Sequence, residues 1–165
     1  MPGGPSGDRG SAAAYWNDLG GNRLMEPSQT RTVHLTMRNE LSEIGQLRDA
    51  VDRFAGELEI PPGSVIQLQV ALDELVSNVI RYAWPPGGSH QFLVRVTLWP
   101  KAAKVEVIDD GVSFDPTRMP AARAPLQNEK RQIGGRGLTM MKTLVDRIDY
   151  ARVDNRNHTT LNKHW

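Results

Sequence analysis

Apolar residues recur along most of this chain at two periods, and the switches between them mark out its elements. Val33, Leu35 and Met37 alternate with polar neighbours, so residues 32–37 read as a strand. From there the spacing lengthens. Leu41, Ile44, Leu47, Val51, Phe54 and Leu58 fall three or four apart, as on one helix face, and Asn39 stands where an N-cap would. Pro61, Pro62 and Gly63 interrupt that helix. A second one follows, with Val65, Leu68, Leu72, Leu75, Val79 and Ala83 inward and with Ser64 and Gln67 spaced as a capping box. The Pro-Pro-Gly-Gly run at 85–88 ends it. Phe92, Val94, Val96 and Leu98 then share one face of a strand over 91–99. Pro100 and Lys101 read as a hairpin connection into a short strand over 104–109, so these two strands should pair antiparallel.

Regular patterning is lost over 110–133. That stretch holds Pro116, Pro120 and Pro125 and the cations Arg118, Arg123, Lys130 and Arg131, against the acids Asp110, Asp115 and Glu129. A loop of this length inside a small domain is usually a lid or a binding loop. A helix opens again at 134–137 with Leu138, Met141, Leu144 and Val145 inward. Two strands follow, near 147–153 and 159–163, separated by the turn-prone Asp154-Asn-Arg-Asn157. The order is strand, two helices, two strands, loop, helix, two strands. It predicts an α+β protein, a two-layer sandwich of about five strands in a mixed, mostly antiparallel sheet with the helices on one face. Residues 31–165 are expected to form this domain. Residues 1–30, rich in Gly, Pro, Ser and Asp and without apolar period, are expected to be a disordered tail.

Composition narrows the function by exclusion. A net charge of +1 gives no reason to expect nucleic acid as a partner. No cysteine is present, which removes disulfides, thiolate metal sites and cysteine nucleophiles. No apolar run approaches the ~20 residues of a membrane helix, and the first residues lack a signal-peptide core, so a cytoplasmic protein without membrane attachment is expected. His34, His90, His158 and His164 show no metal-binding spacing, and no serine sits in a G-x-S-x-G setting. Trp84 and Trp99 come with no RNA-binding motif and read as packing residues.

Three segments carry candidate chemistry. On the second helix Glu74, Asn78 and Arg81 fall at i, i+4 and i+7, which puts a carboxylate, an amide and a guanidinium in one stripe. Such a stripe can hold a cation with the Asn oxygen and leave the carboxylate free to accept a proton; it can equally be a solvated face. The strand over 104–109 ends in Asp109, and Gly111 lets the backbone bend or approach a ligand closely. Gly134-Gly-Arg-Gly137 opens a helix, whose free N–H groups and dipole suit a phosphate. The second and third segments, taken singly, are also ordinary turns. The third lacks the spacing of a Rossmann or Walker A loop.

In this order, however, the three segments resemble the boxes of the Bergerat-fold (GHKL) ATPases, the family of gyrase, chaperone, histidine-kinase and mismatch-repair ATP-binding domains. Glu74 to Asn78 is similar to the N box, Asp109 and Gly111 to the first glycine box, and Gly135 to Gly137 to the second. Within that family the chain looks like the bacterial anti-sigma factor serine kinases, over roughly 32–163. The A-L-D-E-L-V-S-N-V-I-R-Y-A and D-D-G-V-S-F-D-P phrasing and the G-G-R-G-L helix start carry the likeness.

The resemblance implies ATP and Mg²⁺ as ligands. Asn78 would coordinate the Mg²⁺, Glu74 would be the general base, and Asp109 would bind the adenine amino group with Gly111 close to the ring. Gly135 and Gly137 would bring N–H groups to the phosphates, and Thr159 or Thr160 would place a hydroxyl near the adenine. Lys130, Arg131 and Arg136 are expected lid charges by placement alone. The implied partners are a STAS-type anti-sigma antagonist, phosphorylated on serine, a sigma factor that is sequestered, and a second copy in a homodimer. The chain departs from the pattern at Ser113, where the first glycine box commonly has a second glycine, and at Tyr82, where such kinases often have histidine. Its lid is rich in proline instead of glycine. A nucleotide-binding module that sequesters its partner without phosphorylating it is the alternative. A sensor histidine kinase is disfavoured, since no phospho-accepting dimerisation helices are recognisable in the sequence.

Overall fold

The computed structural model describes residues 29–118 and 135–165. Most of the expected tail, together with Lys130 and Arg131, lies outside the described residues. Among the described residues the strands and α-helices follow in the order β1 (Arg31–Arg38), α1 (Ile44–Glu57), α2 (Pro62–Tyr82), β2 (Gln91–Trp99), β3 (Ala102–Asp109), α3 (Gly135–Leu144), β4 (Arg147–Val153) and β5 (Arg156–His164). The strands form one sheet in the order β1-β2-β3-β5-β4, and every pairing is antiparallel. Among the described residues the sheet is therefore antiparallel throughout, not mixed. Hairpins join β2 to β3 and β4 to β5; the connection through α1 and α2 sets β2 beside β1, whereas the one containing α3 sets β4 beyond the place that β5 fills next to β3.

Strict alternation decides which sheet face is covered. Phe92, Val94, Val96 and Leu98 of β2 are buried, and so are Ala103, Val105 and Val107 of β3 and Leu161 of β5. Their cross-strand partners include Val33 and Met37 of β1. Against this face pack Leu47 and Val51 of α1, Leu68, Leu72 and Val76 of α2, and Leu138 and Met141 of α3. Each such fully buried side chain contributes about 1.5–3 kcal/mol relative to exposure. The opposite face carries His34, Arg95, Glu106 and Thr160 among its residues.

Helix ends depart from the sequence expectation in two places. Asn39 caps no helix. Its Oδ1 accepts from the His90 N–H at 2.9 Å and its Nδ2 donates to the Gly88 carbonyl, so it pins the end of β1 to the turn before β2. Ser64 and Gln67 form no capping box either, because α2 already starts at Pro62, where proline's fixed φ suits the first helical position and its missing N–H costs nothing. Upstream, α1 closes through Ile60 N–H to Ala55 O and Glu59 N–H to Gly56 O, with Glu59 itself at φ 53°. At the far end, the buried Lys163 ammonium of β5 donates to the Leu144 carbonyl at 2.7 Å and holds the C-terminus of α3 to the sheet.

Candidate functional site

The site forms where α2, the end of β3, the start of β5 and the start of α3 converge. One turn apart on α2, Glu74 and Asn78 face α3, and the Asn78 amide N–H donates to Glu74 Oε1 at 2.8 Å. That bond orients the amide: Nδ2 is turned to the carboxylate, and Asn78 Oδ1 accepts no hydrogen bond among the described residues. Gly137 lies directly against the Glu74 carboxylate, so closely that a β-carbon at 137 would overlap it. The glycine of the second box therefore makes room for a side chain of α2. Gly135 and Arg136 stand with it in the first turn of α3. Arg81, the third member of the stripe, is exposed at the end of α2.

The other half of the site is a shallow cleft open to solvent beside the C-terminal half of α2. Leu75, Val79, Ala83 and Phe114 give it apolar walls. Its polar groups are Asn78, Asp109, Asn157 and Thr159. Asp109 is 5% exposed and accepts two hydrogen bonds on Oδ1, from the Gly111 N–H at 3.0 Å and from Asn157 Nδ2 at 2.8 Å. Burial pushes the Asp109 carboxyl above the usual carboxylate range, opposed by the hydrogen bonds from Asn157 and Gly111. Gly111 is needed for a steric reason. The turn runs across the end of α2, with Val112 N–H donating to Ala83 O at 2.7 Å, and a β-carbon at 111 would collide with that backbone carbonyl and with the Ala83 side chain.

The structure brings Glu74, Asn78, Asp109, Gly111 and Gly137 together. It separates the two threonines. Thr159 is buried and lines the cleft, whereas Thr160 belongs to the other sheet face, opposite Glu106 and Asp149. Tyr82 stands half-exposed at the mouth. Ser113, where the glycine pattern breaks, has its hydroxyl 3.1 Å from that of Tyr150 and ties the turn to β4. Trp84 stacks on His90 with ring centroids 4.8 Å apart and donates to Asp110, which braces the turn from outside.

Sequence reasoning missed Asn157, which it assigned to a turn. Asp154 and Asn155 both adopt positive φ, so the β4–β5 reversal needs only those two residues and β5 starts at Arg156. Asn157 is thereby a strand residue paired with Asp109 on one side and Arg152 on the other. The available signal was the Asp-Asn pair itself, a known former of two-residue turns.

A family model described as a histidine kinase-like ATPase domain matches residues 37–163. The serine/threonine-protein kinase BtrW of Bordetella bronchiseptica is 30% identical over 99 residues, which is 59% of this chain and 68% of that protein. The serine-protein kinase RsbW of Halalkalibacterium halodurans is 25% identical over 129 residues, 76% of this chain and 78% of that protein. Among solved structures, that of the RsbU and RsbW domains of Rv1364c from Mycobacterium tuberculosis superposes with a TM-score of 0.57 at 16% identity, covering 81% of this chain and 32% of the longer one. A carboxylate and an amide one turn apart, a buried aspartate in an apolar cleft, and a glycine helix start closing over them thus sit on a family match spanning most of the chain: this protein belongs to the histidine kinase-like ATPases, distantly related to the RsbW and BtrW serine kinases, and as such has a domain built to bind ATP.

Proposed function

We propose that this protein is an ATP-dependent protein serine kinase of the anti-sigma type, which phosphorylates a STAS-type antagonist and sequesters a sigma factor. The observation that carries the reading is the placement of Glu74. A pure nucleotide binder needs the Asn78 amide but not a carboxylate beside it. Here the carboxylate is kept, bonded through Oε1 to Asn78 and lodged against Gly137, with no hydrogen-bond partner on Oε2 among the described residues.

In this mechanism adenine enters the apolar cleft and donates its amino hydrogen to Asp109. The triphosphate extends toward the first turn of α3, where the backbone N–H groups of Gly135 and Gly137 would meet it, and Lys130, Arg131 and Arg136 are the lid charges that the sequence leads one to expect. Asn78 Oδ1 would hold Mg²⁺, a hard cation that suits an amide oxygen and that, when bound, neutralises phosphate charge. Glu74 accepts the proton of the attacking serine hydroxyl as the new O–P bond forms to the γ-phosphorus. The bond from that phosphorus to the β–γ bridging oxygen breaks, and ADP leaves. The resemblance also implies a homodimer, which light scattering would test.

The decisive experiment incubates the protein with Mg·ATP and the antagonist-like protein encoded nearest to it, and reads phosphoserine by intact mass. A gain of one phosphate that is lost in Glu74→Gln is expected. No gain, with ATP binding and partner association intact, would replace the kinase by a sequestering module that uses nucleotide without transferring phosphate.

A further inference from the structure

Asn157 is 3% exposed, and all of its amide hydrogen-bonding capacity is used. Its Nδ2 donates to Asp109 Oδ1 at 2.8 Å and to the Val112 carbonyl at 2.9 Å. Its Oδ1 accepts from Tyr150 Oη at 2.8 Å and from Arg152 Nη1 at 2.7 Å. The orientation of the amide is unambiguous, because a guanidinium has no lone pair to offer and must face the oxygen. Arg152 Nη1 also donates to the Gly111 carbonyl at 3.1 Å, so the same guanidinium grips the glycine turn. The β4–β5 hairpin in this way clamps both the carboxylate and the turn that follows it.

The consequence falls on the free oxygen of Asp109. Both donors, Asn157 and the Gly111 N–H, act on Oδ1, and among the described residues Oδ2 accepts none. With Oδ1 held from two directions the carboxylate cannot rotate, and Oδ2 is left as the acceptor at the cleft. A fixed acceptor discriminates sharply between purines. A 6-amino group donates to it, whereas a 6-oxo group opposes lone pair to lone pair. We infer that Asn157 is the positioning residue for base selectivity, holding Asp109 so that the cleft takes a 6-amino purine and rejects a 6-oxo one. The inference rests on the nucleotide reading above and extends it to a residue on a different strand.

A purely structural role for Asn157 would weaken every nucleotide alike, so the readout is a ratio. ADP and IDP, which differ at the 6-position, are titrated calorimetrically into the full chain and into Asn157→Asp and Asn157→Ala. The Asp variant keeps the shape but turns an acceptor toward Asp109 and the Val112 carbonyl. Tyr150→Phe, which removes one donor and leaves the Arg152 bond, serves if neither of these melts cooperatively. The unaltered protein should prefer ADP, and either Asn157 variant should lower that ADP:IDP ratio by about tenfold or more, the worth of one hydrogen bond to a charged group. Tyr150→Phe should lower it by a smaller factor, about two- to threefold, with one of the two donors to Asn157 Oδ1 lost. An unchanged ratio in the folded variants, with both affinities falling together, overturns the inference. So does an unaltered protein that binds ADP and IDP equally. Binding of neither by the unaltered protein would refute the nucleotide reading itself.

Discussion

Replacing Gly137 by alanine should separate stability from chemistry, because the two respond to the new methyl group in opposite senses. Within α3, alanine is favoured over glycine by up to about 1 kcal/mol, less in a first turn than in a helix interior. The Glu74 carboxyl carbon and both oxygens would all lie within 3.0 Å of the added β-carbon, closer than real contacts of this kind come. What is struck is the far end of a flexible side chain, so the fold yields there and the backbone stays. The carboxylate must move on the order of 1 Å and give up the 2.8 Å bond from Asn78; a misplacement of that size costs a catalytic group about 10²-fold in rate. The melting temperature should be unchanged or higher by up to about 4 °C, while phosphoryl transfer, followed by intact mass of the acceptor, should fall about a hundredfold. The double variant with Glu74→Gln is the sharper assay. If Gly137 acts through the Glu74 carboxylate, adding Gly137→Ala to Glu74→Gln should lower the rate no further, since coupled residues are not additive. A full second hundredfold loss in the double variant would mean that the added methyl group obstructs the phosphates directly, and would refute the argument that it acts through Glu74. Wild-type transfer by the single variant would refute it more simply.

Two further outcomes follow from Asp109 and Gly111. Asp109→Asn should fold normally and bind ADP at least tenfold more weakly, because its amide must offer N–H to the adenine amino group once its oxygen has accepted from Asn157 and Gly111. It should not be less stable at neutral pH. A carboxyl raised by burial adds stability that is full below its unfolded value near 3.9 and is lost as pH rises through its folded value, above which it stands as a buried charge. Nucleotide affinity runs the other way. It requires the ionised carboxylate, so ADP binding measured by calorimetry should begin to fall at a pH above the ordinary carboxylate range, and the Asn variant should lack that acid limb. Gly111→Ala meets backbone, not a flexible side chain, so it should cost stability outright, by about 2 kcal/mol or more in urea unfolding. A variant with wild-type stability would show that the turn can lift away from Ala83.

How much was legible beforehand depended on the range of the interactions. Amphipathic periods are local, and they delimited β1, α1, α2, β2 and α3 to within a few residues, because a strand or helix facing a core must repeat its apolar residues at its own period. The order of the three polar segments was equally legible, since each needs specific residue types at short spacing. The tertiary structure decided what parity and proximity decide. Thr159 faces the cleft and Thr160 does not, because a strand alternates and its phase is set by where the preceding turn stops; two residues at positive φ end that turn, and within β5 the single apolar residue, Leu161, is the only marker of the phase. The same phase places Asn157 beside Asp109. Asn39, Ser64 and Gln67 carry the chemistry of caps, yet the chain uses Asn39 to bridge two strands and starts α2 at a proline. Most telling is Gly137, whose role depends on a carboxylate from another helix pressed against its α-carbon. A sequence displays that a side chain is missing; only packing displays what fills its place.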